Sequence, residues 1–147
     1  EEINNISVTP KMAQAFFNDE RDSITPRAMS QLITRLVYRP LLSPKSTMLL
    51  MDMLYQCKTG YKRIPAFLPR VLIGQKTGVL GSWRQGIMAD VGIIKLPTNK
   101  GHVVLSVFLK SKKSNYQERE RAVGLTARIA LEQLATVCPQ VKLILDE

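Results

Sequence analysis

The stretch Val71–Pro97, VLIGQKTGVLGSWRQGIMADVGIIKLP, sets the architecture of the chain. Apolar residues alternate along both of its arms and β-branched residues recur in them, a pattern that reads as two strands. Gly78 and Gly81 are read as the bend between the arms, because glycine takes left-handed backbone angles at no steric cost. Near the centre stands Lys76-Thr77-Gly78. On an edge strand beside a cleft these residues suit an anionic acyl ligand: a cation, a hydroxyl donor, and a bare backbone on which a ligand can lie flat. The same tripeptide recurs at Lys58-Thr59-Gly60, so it carries weight only together with the rest of the chain.

Downstream, His102 to Lys110 forms a third such run. It joins the second across Thr98-Asn99-Lys100-Gly101, a group rich in residues that accept positive φ. Short connections of this kind join antiparallel neighbours. The reading is therefore an antiparallel meander over about 70–77, 84–96 and 102–110. Gln117 to Ala135 reads as a long helix whose main apolar side holds Val123, Ala127, Ala130, Leu131 and Leu134. A second stripe, Ala122, Leu125 and Ile129, predicts cover on both sides.

Upstream, Thr9-Pro10, Thr25-Pro26 and Ser43-Pro44 each place a hydroxyl cap before a proline, a helix-start signature. The first helix groups Met12, Ala13, Phe16 and Phe17. The second groups Met29, Leu32, Ile33, Leu36 and Val37. The third runs through Met48, Met51, Leu54 and Tyr55 and is read to end at Gly60. The opening to Val8 reads as irregular, Asn18 to Ser23 as a charged loop, and Lys62 to Arg70 as a loop with two prolines. Val141 to Leu145 reads as a short final strand. The fold class is α+β, with an antiparallel sheet, a packed C-terminal helix and preceding helices in one domain over residues 1–147.

The chain carries 21 Lys and Arg against 12 Asp and Glu, a formal net charge of +9. This balance suits an acidic partner or an anionic substrate. The densest basic cluster is only Lys110, Lys112 and Lys113. The aromatics (6%) are not interleaved with it as a single-strand binder requires, so no nucleic-acid partner is read. No apolar run approaches the roughly 18 residues of a membrane-spanning helix. Glu1-Glu2-Ile3-Asn4-Asn5 shows neither the basic nor the apolar region of a secretory leader. Cys57 and Cys138 lack metal-ligand spacing and His102 is the only histidine, so no metal or other cofactor is expected. The two cysteines are read as buried free thiols rather than a disulfide.

Four stretches, in order, resemble class A β-lactamases and their penicillin-binding relatives. They are Asp19-Glu20-Arg21-Asp22-Ser23-Ile24-Thr25-Pro26; Cys57-Lys58-Thr59-Gly60-Tyr61-Lys62-Arg63-Ile64-Pro65 with Leu68-Pro69; Lys76-Thr77-Gly78; and Ala89-Asp90-Val91-Gly92-Ile93-Ile94 with Leu96-Pro97. The resemblance runs over about residues 19–136 and corresponds to the C-terminal half of that fold, so the domain is expected to be partial. It also selects the second Lys-Thr-Gly as the cleft strand. It implies that Lys76 and Thr77 bind the substrate carboxylate and that Gly78 keeps the strand open. The backbone N–H of Val79 would be one arm of an oxyanion hole. Arg63 would reach the same carboxylate, with Thr59 beside it; the alternative for Arg63 is a surface arginine capping a helix end. The implied substrate is a β-lactam or a peptidoglycan-like acyl group, and the implied location is periplasmic or secreted.

The departures from that family pattern are specific. No serine in the chain is followed three residues later by lysine, and no Ser-Asp-Asn occurs. Counting back from the Asp19 loop puts Thr9, Met12 and Ala13 where the resemblance places the deacylating Glu-x-x-Leu-Asn element. Two readings follow. In one, the chain is the C-terminal part of a serine hydrolase or acyltransferase, completed by a companion N-terminal chain or by its own oligomer. In the other, it is a non-catalytic, penicillin-binding-like half domain that holds a ligand or a partner.

Overall fold

In the computed structural model, residues 9–21, 23–39, 41–68, 71–81 and 86–145 are described, apart from the side chains of Ala13, Phe16 and Phe17. The three apolar runs form one antiparallel sheet in the order β1-β2-β3: β1 Ile73–Gly81, β2 Gly86–Lys95 and β3 His102–Ser111. The register sets Lys76 against Val91, Thr77 against Asp90 and Gly78 against Ala89.

β1 does not bend at Gly78. It continues to Gly81, opposite Gly86, because β2 supplies a partner along that whole length. Gly81 does take a left-handed angle, φ 119°, but a glycine permits a turn and does not compel one. Residues 82–85, which would make the connection, lie outside the described residues. The strand also starts later than expected, at Ile73; just before it the Leu72 carbonyl still accepts the Lys95 N–H at 3.1 Å. The β2–β3 connection matches its composition, with positive φ at Thr98, Asn99 and Gly101.

The helix starts fall where the hydroxyl-proline pairs put them. α1 is Pro10–Asn18, α2 Pro26–Tyr38 and α3 Pro44–Tyr55. Thr9, Thr25 and Ser43 accept the N–H groups of Met12, Ala28 and Ser46 at 3.3, 3.1 and 3.2 Å. α3 ends at Tyr55, short of Gly60. There the Gln56 N–H bonds back to both Asp52 and Leu54 and tightens the last turn. Gly60 takes φ 71° in the turn beyond. The expected loop from Lys62 contains a 3-10 helix, Ile64–Phe67.

Each face of the sheet carries its own core. On one, Ile93 packs with Leu36 of α2 and Leu54 of α3. On the other, Met88, Ile94 and Val107 meet Ile64 and Leu68 together with Val123, Ala127 and Leu131 of α4, Tyr116–Ala135. A reciprocal pair of hydrogen bonds between Asn115 and Glu118, 2.8 and 2.9 Å, caps α4 at its start. Ala130 and Leu134 are exposed, and so are Leu125 and Ile129, so α4 is covered on one side only.

The segment expected to close the chain as a strand is instead a short helix, α5, Pro139–Leu143. Pro139 fixes a helical φ at its first position. Val141 and Ile144, three apart, are buried while Leu143 between them is exposed. Both cysteines are free, as expected, but half-buried rather than buried. No helix among the described residues is long and apolar enough to cross a membrane.

Candidate active site

Among the described strands β1 is an edge, so one side of its backbone has no sheet partner there. Lys76 is exposed at that edge and its Nζ donates to the Thr77 carbonyl oxygen, which folds the ammonium back along the strand. Beside it opens a cavity of about 470 Å³ with Lys76, Thr77 and Gly78 on its rim and Ile24, Met29 and Phe108 in its wall. A Cβ added at Gly78 would meet only the Ala89 Cβ, at an ordinary 3.6 Å. The chain's own packing therefore does not demand glycine there. Val79 is 49% exposed.

The turn at residues 57–60 comes up against Thr77. Its hydroxyl lies 2.7 Å from that of Thr59. The Cys57 thiol lies 3.3 Å from the Thr59 hydroxyl, and Gln75 Nε2 donates to the Thr59 carbonyl at 2.6 Å. Both neighbours of Lys76 in β1 are thus tied to one residue of the facing turn. The turn approaches so closely that a Cβ on Gly60 would lie 2.5 Å from Thr77 Cγ2, which is why the Lys58-Thr59-Gly60 copy ends in glycine. In this way the structure joins the two tripeptides.

Arg63 goes elsewhere. It is 2% exposed, neither a surface cap nor a group reaching the cleft. Its guanidinium donates to the Ala89 carbonyl and to the Tyr116 hydroxyl, each at 3.1 Å, and pairs with Glu120 at 3.5 Å. A guanidinium so far from water requires a buried counter-charge and fixed acceptors, and α4 supplies the charge. Arg63 does not line the cavity beside Lys76; its guanidinium is turned to Ala89, Tyr116 and Glu120.

Asp90 was not singled out by sequence reasoning. It lies opposite Thr77 with no exposed surface, and its Oδ2 accepts the Ile64 N–H at 3.4 Å. Burial pushes its carboxyl up to about 6, against the pull of the Ile64 N–H and the nearby Arg63 charge. A charged residue within the apolar run Ala89 to Ile94 was the available signal, since a buried carboxylate almost always has a partner. Glu120 and Tyr116 gave no such signal, because their partner is fixed only by how α4 docks.

Ser23 lines the same cavity as Lys76, but its hydroxyl donates to the Asp19 carbonyl at 3.4 Å rather than to a base. Among the described residues no three His, Cys, Asp or Glu come together as a metal site.

A profile for the beta-lactamase enzyme family matches residues 2–134. The chain belongs to that family. Within it, the carbapenem-hydrolyzing beta-lactamase KPC of Klebsiella oxytoca is 29% identical over 125 residues, 84% of this chain and 42% of that protein. Among solved structures, an ancestral class A beta-lactamase superposes with a TM-score of 0.70 at 32% identity, covering 84% of this chain and 46% of that one. The carbapenemase VCC-1 of Vibrio cholerae gives 0.70 at 26% identity, covering 84% and 47%. This beta-lactamase family chain therefore spans about two fifths of the length of its curated relative.

Proposed function

We propose that the chain is the carboxylate-binding part of a serine hydrolase that is acylated by β-lactams. It would correspond to the C-terminal half of the family fold. The observation that carries this reading is the Thr59–Thr77 hydroxyl pair, 2.7 Å apart, beside the Lys76 ammonium on an open strand edge. An anion at that edge meets donors from both faces of β1: the lysine from the cavity side, the hydroxyls from the side of the Thr59 turn. Charge-assisted hydrogen bonds of this kind are worth roughly 1.5–3 kcal/mol each.

The Val79 N–H, three residues along the same edge, would stabilise the negative charge that develops on the acyl oxygen. Gly78 lets the acyl group lie against the strand. Arg63 acts from behind, holding β2 through the Ala89 carbonyl. No serine of the chain has a lysine three residues on, so the nucleophile comes from a segment outside these 147 residues, in the same polypeptide or in a companion chain. With that substrate class the protein would work in the periplasm or outside the cell. The absent Ser-x-x-Lys favours a second reading, a half domain that holds an acyl ligand or a partner without turnover.

The test is labelling with a fluorescent penicillin in the protein completed by its nucleophile-bearing segment. Lys76→Ala should slow acylation at least about tenfold, or about 1.4 kcal/mol of barrier. Lys58→Ala, exposed in the turn, should leave the rate unchanged. Equal loss in both variants, or none in Lys76→Ala, rules out the strand as the site. Absence of labelling in the completed wild-type protein favours the second reading.

A further inference from the structure

The Thr59–Thr77 contact depends on a residue that does not line the cavity. Thr59 sits exposed in a turn outside any helix or strand, so regular structure does not fix where its hydroxyl points. Gln75 supplies the anchor. It is 4% exposed on β1, opposite Gly92, and its Nε2 donates to the Thr59 carbonyl at 2.6 Å. A Cβ on Gly60 would lie 2.7 Å from that same nitrogen, so the glycine makes room for the amide. A second donor to this carbonyl, the Cys57 thiol at 3.7 Å, is a weak one. An amide this buried has little water to turn to, so releasing the carbonyl would leave it unsatisfied at a cost.

We propose that Gln75 is a positioning residue of the anion site: it holds the Thr59 carbonyl so that the Thr59 hydroxyl stands against Thr77 and the pair can donate to a ligand carboxylate. This deepens the reading of the strand edge as a carboxylate site and rests on it. Two hydroxyls 2.7 Å apart spend one proton on each other and leave one to give outward. Aiming that proton at an anion requires both oxygens to be fixed. Thr77 is fixed by the register of β1 on β2, opposite Asp90. Thr59 is fixed through the Gln75 amide. Without it, the turn must be ordered at the moment of binding, and that entropy subtracts from affinity. Gln75 acts through Thr59 and not on the reacting atoms, so its loss weakens capture of the ligand and spares the bond-making step.

Labelling by a fluorescent penicillin is followed against concentration in the protein completed by its nucleophile-bearing segment, which separates the half-saturating concentration from the limiting rate. Gln75→Met keeps the side-chain length without the donor, and Gln75→Glu turns an acceptor to the Thr59 carbonyl. Both are compared with Thr59→Val, with the two double variants, and with Lys76→Ala as the reference for the site. Each Gln75 variant should raise the half-saturating concentration at least about fivefold, with the limiting rate within about twofold of wild type. Thr59→Val should raise it at least about tenfold. Adding either Gln75 substitution to Thr59→Val should change it by less than about twofold, because the hydroxyl that Gln75 positions is already gone. Losses that multiply mark a general disturbance of β1 and overturn the proposal. So do a loss confined to the limiting rate, and Gln75 variants that match wild type while Lys76→Ala is slowed. If Lys76→Ala is not slowed, or the completed wild type is not labelled, the carboxylate reading itself fails and the proposal falls with it. Matching thermal midpoints exclude unfolding as the cause. Should Gln75→Glu unfold by burying a charge, Gln75→Met carries the test alone.

Discussion

Asp90, opposite Thr77 in the sheet, ties the stability of the fold to pH. Its Oδ1 has no hydrogen-bond partner among the described residues, and burial outweighs the pull of Arg63 to hold the carboxyl at about 6 against an ordinary 3.8. The native state therefore keeps a proton that the unfolded chain has already lost between about pH 4 and 6. Stability contributed by this group is full below that window and is lost as pH rises through it, by roughly 3 kcal/mol for a shift of about two units. Asp90→Asn removes the charge and keeps an acceptor for the Ile64 N–H. Urea midpoints should make the variant more stable than wild type by about 1–3 kcal/mol at pH 8, with a difference under about 0.5 kcal/mol at pH 4. A variant less stable at pH 8 would mean that the attraction of Arg63 exceeds the cost of burial.

At the scale of elements, α4 lies close against the 3-10 helix Ile64–Phe67. Gly124 permits it: a Cβ there would run into the Phe67 ring and lie 2.9 Å from the Arg63 carbonyl oxygen. In an open helix alanine is preferred to glycine by about 1 kcal/mol. Here overpacking against a backbone atom should outweigh that gain, at about 1–3 kcal/mol. Gly124→Ala is expected to lower unfolding stability by about 1 kcal/mol net in urea titration, and a stabilised variant would show that the turn can retreat. Because that turn also carries Arg63 and the Ile64 N–H, its displacement would reach Asp90.

Over the whole molecule, the described residues leave two apolar surfaces open. Met48, Leu49 and Met53 on α3 are 68, 62 and 63% exposed, and Ile129 on the uncovered side of α4 is 57% exposed. β3 adds a ten-residue edge with no further partner among the described strands. Apolar surface of this extent and a long strand edge favour association. The 147-residue chain by itself is expected to self-associate, and to become better behaved when a chain completing the fold is added. Sedimentation velocity checks this; a stable, monodisperse monomer would contradict it.

The sequence by itself determined the features that local rules govern. Three hydroxyl-proline caps and the apolar alternation mark elements because neighbours a few residues apart create them. They were legible, with the Lys-Thr-Gly correctly on a strand. The resemblance was legible for the same reason, in short runs of adjacent residues. What the tertiary structure decided depends on groups far apart in the chain. Thr59 and Thr77 meet across 18 positions, Arg63 finds the Ala89 carbonyl across 26 and Tyr116 across 53. Whether Arg63 faces a ligand or a buried glutamate is fixed by where α4 docks, and nothing next to it in sequence records that. The end of the chain follows the same rule. Val141 to Leu145 is apolar enough to read as a strand, but Pro139 and the core beneath α4 that takes Val141 and Ile144 make it a helix.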